Sequence, residues 1–208
     1  FSWWFVFAIL VWGLSSSFFP HYFPGQDTNI YWMMGVVSVI LLFVSVLLHE
    51  LSHSLVAKAK KIKVESITLF FFGGVASIDD EDLKPGTEFL MAIAGPLFSL
   101  LLFVLFYLIY LLNGNLFWTA ITFYLYQLNL ILALFNLVPG YPLDGGRAFR
   151  AILYAYYKDI KKATKIAVLG GRFFALFLVL SGLLYMINGA GGGLWFIFLG
   201  GFLYFIAG

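Results

Sequence analysis

The chain has no cysteine. That excludes a disulfide framework, a thiolate metal site and a cysteine nucleophile. Charge is also scarce: 11% of its 208 residues are Asp, Glu, Lys or Arg, against about a quarter in a soluble globular domain. Histidine is rarer still, with only His21, His49 and His53. The net charge of +2 carries no nucleic-acid signature, because the basic residues fall into two clusters that read as membrane-topology signals. Apolar residues are abundant, at 62% of the chain with 25 phenylalanines. This is the composition of an integral membrane protein whose first partner is the lipid bilayer.

Hydropathy draws six spans, at about residues 1–19, 31–56, 89–112, 117–138, 166–187 and 194–207. The first lacks a basic flank and a small-residue cleavage site, so it is expected to span and not to be a signal peptide. The chain then reads as a single transmembrane domain over residues 1–208, with any C-terminal cytosolic domain outside it. Lys58, Lys60, Lys61, Lys63 and Lys84 follow span two; Arg147, Arg150, Lys158, Lys161, Lys162 and Lys165 follow span four. The other connectors contain no Lys or Arg. The positive-inside bias places both basic segments, and both termini, in the cytosol of a multi-pass cell-membrane protein. Arg172 lies one to two turns inside span five, where it is expected to snorkel to the interface or pair with an acid.

Two segments break the helical pattern. Residues 64–78 are β-branched and aromatic around a Gly73-Gly74 turn signal, which suggests a short strand pair. The segment is too apolar for water and too short to span, so a re-entrant hairpin is expected. Asp79, Asp80, Glu81 and Asp82 then return the chain to water. The second break, Asn136 to Gly146, holds two prolines and three glycines and ends span four irregularly. The expected fold is thus all-α and polytopic: about six transmembrane helices with a short re-entrant β-hairpin-like segment.

Span two carries His49-Glu50-Leu51-Ser52-His53, although it holds no Lys or Arg and no acid before Glu50. Burying such groups in hydrocarbon costs several kcal/mol unless they are paired or bind a metal. Histidines four apart share one helix face and can reach one ion. Neutral imidazole suits zinc, and a catalytic zinc takes about three protein ligands. With His21 on the outer connector, the third ligand must be a carboxylate. The candidates are Asp144, Glu65, Glu88 and the Asp79–Asp82 cluster. The last three sit in a charged, hydrated loop, whereas Asp144 stands alone among Pro, Leu and Gly at a broken span end. A solitary carboxylate there calls for a cation, so Asp144 is chosen. One Zn2+ per chain is expected on His49, His53 and Asp144. Glu50, about 100° round the helix from His49, flanks the ion as general base: it takes a proton from the attacking water and passes it to the leaving amine. His49 is nine residues before Lys58, about 13 Å along a helix, so the chemistry needs a polar path from the cytosol.

Blander alternatives exist for each feature. Two histidines and a glutamate can simply pack between helices, Asp144 can be an Asp-Gly turn residue, and Gly73-Gly74 can be only a turn. Rival functions are a metal transporter using the same ligands, and a catalytically dead relative that binds other membrane proteins. No internal repeat favours the transporter.

These residues resemble the site-2 protease family of intramembrane metalloproteases. His49 to His53 is similar to its zinc motif, and Asn136 through Gly146 to its Asn-x-x-Pro…Leu-Asp-Gly pattern. Phe72-Gly73-Gly74-Val75-Ala76 and Ala94-Gly95-Pro96-Leu97-Phe98-Ser99 are similar to its Gly-Gly and Gly-Pro-x-x-Ser/Asn segments. The span pattern looks like the six-helix archaeal and bacterial branch, without room for a PDZ insertion. The resemblance implies zinc on His49, His53 and Asp144, with Glu50 as base. It implies that Asn136 and Pro139 help hold substrate and that Gly73 and Gly74 lie in a re-entrant loop near the cleft. The implied reaction is regulated hydrolysis of a peptide bond in or beside a substrate's transmembrane helix. A regulatory domain or partner outside this chain is a further expectation.

Overall fold

Apolar runs of this length satisfy their backbone in lipid by closing it into helices, and the computed structural model is built almost entirely of them. It describes residues 2–62, 64–70, 73–78, 83–189 and 192–207; the side chains of residues 2, 3 and 64–78 are outside the description. Helix α1 (Ser2–Gly13) passes through a π-helical turn (Leu14–Phe18) into α2 (Phe19–Tyr22). Then come α3 (Thr28–Ala59), β1 (Val64–Phe70), β2 (Gly73–Ile78), α4 (Pro85–Leu112) and α5 (Leu116–Asn136). The chain ends with α6 (Asp144–Tyr157), α7 (Ile160–Ile187) and α8 (Gly193–Ile206).

Among the described residues, five helical stretches are long and apolar enough to cross a bilayer: Trp4–Tyr22, Thr28–Ala59, Pro85–Leu112, Leu116–Asn136 and Ile160–Ile187. Gly193–Ile206, expected as the sixth span, is a shorter apolar helix. Large side chains point outward along these helices, with Phe173 76%, Ile187 80% and Phe205 85% exposed. Such surfaces need lipid and not water around them.

The chain divides into two compact units. The first is Phe1–Asp79 with Leu97–Ala133. Its core gathers Phe19, Met34, Val39, Ile121 and Leu125, all fully buried. Gly35 lets α3 approach the π turn; a Cβ there would overlap the Ser15 hydroxyl and crowd the Val11 carbonyl. Strands β1 and β2 pair antiparallel and lie against α3. Gly73 pairs with Phe70 and Gly74 with Leu69. The two glycines therefore open β2, whereas their sequence suggested the turn itself. The acids Asp79–Asp82 lie outside the described residues, as does the side chain of Glu65.

The second unit is Asp80–Pro96 with Leu134–Gly208. Helices α7 and α8 meet through small residues: Gly182 on Gly193, and Gly200 on the Ala175 carbonyl. Close backbone approach of this kind replaces the hydrophobic drive that lipid removes. Helix α7 begins at Ile160, about a turn and a half before the expected span. Asp159 explains the early start, since its side chain accepts the Lys162 N–H at 3.1 Å as an N-cap. Helix α6 is absent from the hydropathy pattern because it is amphipathic and charged. Gly145-Gly146 read as a loop, yet both are helical and buried.

Candidate metal centre

Helix α3 places His49 and His53 one turn apart on its inner face. Both are buried, at 2% and 8% exposure, and their ring centroids lie 5.0 Å apart. Leu51 and Leu55, on other faces of the same helix, are exposed, so the motif turns its polar side inward. His49 Nδ1 lies 2.8 Å from the Ser99 hydroxyl on α4. A ring whose Nδ1 donates to Ser99 presents Nε2 as its metal-binding nitrogen, and such a partner fixes both tautomer and orientation. Ser52 is occupied otherwise, its hydroxyl donating to the His49 carbonyl at 2.6 Å. Two buried imidazoles at this separation, one of them oriented by a hydroxyl, fit a zinc ion. Glu50 follows His49 on α3 and is half-buried.

One turn before His49, Ser45 joins a second polar contact. The Asn129 amide on α5 donates to the Ser45 hydroxyl at 3.3 Å and to the Leu125 carbonyl at 2.9 Å. Asn129 is fully buried, so polarity on this face of α3 extends beyond the two histidines.

In the second unit, Asp144 is the first residue of α6, after the extended Leu143. A carboxylate at a helix N-terminus is favoured by the macrodipole. Its approach loop is held by backbone. The Tyr141 N–H donates to the Ala167 carbonyl at 3.0 Å, and the Gly146 and Arg147 N–H groups donate to the Leu143 carbonyl at 2.9 and 3.1 Å. A Cβ on Gly145 would overlap the Leu137 and Val138 carbonyls, and one on Gly146 the Gly140 backbone. Gly140 in turn packs on Gly171 of α7, 2.5 Å from its Cα to the position a Cβ would take. The double glycine after Asp144 is thus a packing requirement, which places Asp144 in a helix start and not in an Asp-Gly turn. Asn136 closes α5, and Pro139 is exposed in the loop.

Glu88 departs from its sequence-based placement. It is 2% exposed in the first turn of α4, not in a hydrated loop, and it pairs with Arg150 of α6. A carboxylate so neutralised is removed from the candidate ligands. Among the described residues Arg172 is not paired with an acid: its guanidinium carbon lies 5.6 Å from the Tyr204 ring centre, and its Nε has no hydrogen-bond partner. Sequence reasoning gave Ser99 and Gly170-Gly171 no role at the site and marked Arg150 only as a topology signal. Ser99 had a visible signal in its Gly-Pro-x-x-Ser segment; the others become meaningful only once α6 is known to be a helix.

Peptidase family M50 matches residues 37–117 and 114–179. Rip3 of Mycobacterium tuberculosis is 37% identical over 209 aligned positions, covering 97% of this chain and 53% of its own length. The zinc metalloprotease MJ0392 of Methanocaldococcus jannaschii is 43% identical over 162 positions, 77% of this chain and 46% of its own. Among solved structures, a site-2 protease from Methanocaldococcus jannaschii superimposes with a TM-score of 0.68 at 37% identity, over 98% of this chain and 85% of that one. The chain belongs to peptidase family M50. It spans about half the length of the curated relatives it matches.

Proposed function

We propose that this chain is an intramembrane zinc metalloprotease, with one Zn2+ held by His49, His53 and Asp144. The observation that carries the reading is the pair of buried imidazoles, His49 and His53, one turn apart on α3 with ring centroids 5.0 Å apart. Two imidazoles and one carboxylate are a donor set suited to catalytic zinc. When bound, zinc supplies Lewis-acid chemistry, acidifying water and polarising a carbonyl.

The remaining steps belong to side chains. Glu50, beside His49 in the HExxH motif, accepts the proton of the attacking water and returns it to the leaving amine nitrogen as the peptide bond breaks. Ser99 holds the His49 ring. Asn136, which closes α5, Pro139, in the loop after it, and Gly73 and Gly74, at the start of β2, are assigned to substrate binding. The β1–β2 ribbon then works as a re-entrant edge, to which an unwound stretch of a substrate's transmembrane helix adds as a further strand. Helical carbonyls are already hydrogen-bonded, so local unwinding must precede hydrolysis. Substrates are membrane proteins, and the single transmembrane domain, with Gly193–Ile206 as its sixth span, answers to a regulatory domain or partner outside the chain. The lysine- and arginine-bearing segments, both termini and access to the site face the cytosol.

Metal content tests the reading directly. The purified chain is expected to hold one zinc and to cleave membrane-protein segments from the same cell, while Asp144→Ala loses both. An Asp144→Ala protein that keeps its zinc would exclude the ligand assignment. Zinc transport into vesicles without peptide cleavage would favour the transporter instead.

A further inference from the structure

The first turn of α4 holds a carboxylate that the proposed hydrolysis does not use. Glu88 is 2% exposed, and a buried carboxylate persists as an anion only with a partner. That partner is Arg150, whose Nε donates to Glu88 Oε1 at 2.6 Å and whose second terminal nitrogen contacts the same oxygen. Arg150 lies on α6, the helix that Asp144 opens. Its guanidinium carbon is also 5.7 Å from the centre of the Tyr141 ring, on the loop that delivers the chain to Asp144. The other side of that loop is fixed by backbone, through the Tyr141-to-Ala167 hydrogen bond and the Gly140–Gly171 contact.

We propose that Glu88 and Arg150 are positioning residues for the Asp144 carboxylate, anchoring α6 and its approach loop so that the acid is held in place for zinc. The inference rests on the assignment of Asp144 as a metal ligand. Asp144 and Arg150 are six residues apart on one helix, about 9 Å along its axis. A helix of this length moves as a rigid rod, so slack at the Arg150 end reaches the ligand end. Zinc tolerates little of it, because its carboxylate bonds are about 2.0–2.2 Å long. Residues that act through a ligand commonly account for about 10–100-fold in metal affinity.

The test is the zinc dissociation constant of the full chain in detergent, measured by chelator competition well below each variant's melting temperature. Working there removes the effect of a merely less stable fold. Glu88→Gln and Arg150→Met are expected to bind zinc roughly 10–100-fold more weakly than wild type. Arg150→Lys keeps the charge but loses the planar fork, and it should fall between them and wild type. Wild-type affinity in both Glu88→Gln and Arg150→Met overturns the positioning role. Asp144→Ala is the reference that separates the two ideas. If it binds zinc like wild type, the ligand assignment is at fault; if it alone weakens binding, only the positioning role fails. Should Glu88→Gln or Arg150→Met not give monodisperse protein, Arg150→Lys decides by the same comparison.

Discussion

In the proposed mechanism Glu50 is required for chemistry and dispensable for zinc binding. It lies about 100° round α3 from His49, a position that would flank an ion held by the two imidazoles. Glu50→Gln keeps the size and polarity of the side chain and removes only its basicity. The expected outcome is full zinc stoichiometry by elemental analysis and loss of cleavage by about 100-fold or more. Cleavage at the wild-type rate would take the proton-transfer role away from Glu50. At this scale the sequence was informative because spacing and setting agreed: histidines four apart on an apolar span have few uses besides holding a metal. Glu88 was misplaced because its neighbours Lys84, Pro85 and Gly86 look like a solvated loop. Its partner Arg150 is 62 residues away, a separation at which no local pattern signals an ion pair.

Among the elements, α6 was the least visible. Hydropathy recognises helices that lipid surrounds, and α6 is short, charged and amphipathic. Its N-terminal glycines, poor helix formers, are retained because the backbone of residues 137–141 lies where their side chains would be. Five of the six expected spans appear as helices long enough to cross a bilayer, with α7 starting six residues early, since length and apolarity are the properties a bilayer selects. The same glycine packing predicts where substitution is costly. In Gly171→Leu the new side chain must displace the Tyr141 carbonyl; overpacking against fixed atoms costs about 1–3 kcal/mol. The melting temperature is expected to fall by several degrees, with weakened zinc binding. Gly201→Leu, where a Cβ meets nothing within 4 Å, should change neither. Equal melting temperatures for the two variants would refute the packing argument.

The whole molecule is defined by its solvent and its orientation. Without cysteine, the chain accepts single reporter thiols with no background. Asn115→Cys lies on a connector free of Lys and Arg, and Lys161→Cys in the basic first turn of α7. In intact cells a membrane-impermeant maleimide should label Asn115→Cys at once and Lys161→Cys only after permeabilisation. The opposite pattern would invert the proposed topology.

The wide turn at Leu14–Phe18 has an effect on everything before it. A π turn carries one more residue than the α-helical turn it interrupts, which offsets the preceding helix by about 100°. Trp4 and Trp12, 78% and 62% exposed, lie on the helix that this offset turns. Removing one serine from Ser15–Ser17 would act as a dial on α1, swinging its tryptophans off the lipid side, whereas replacing a serine in place would leave the dial where it is. In this stretch the number of residues carries more information than their identity.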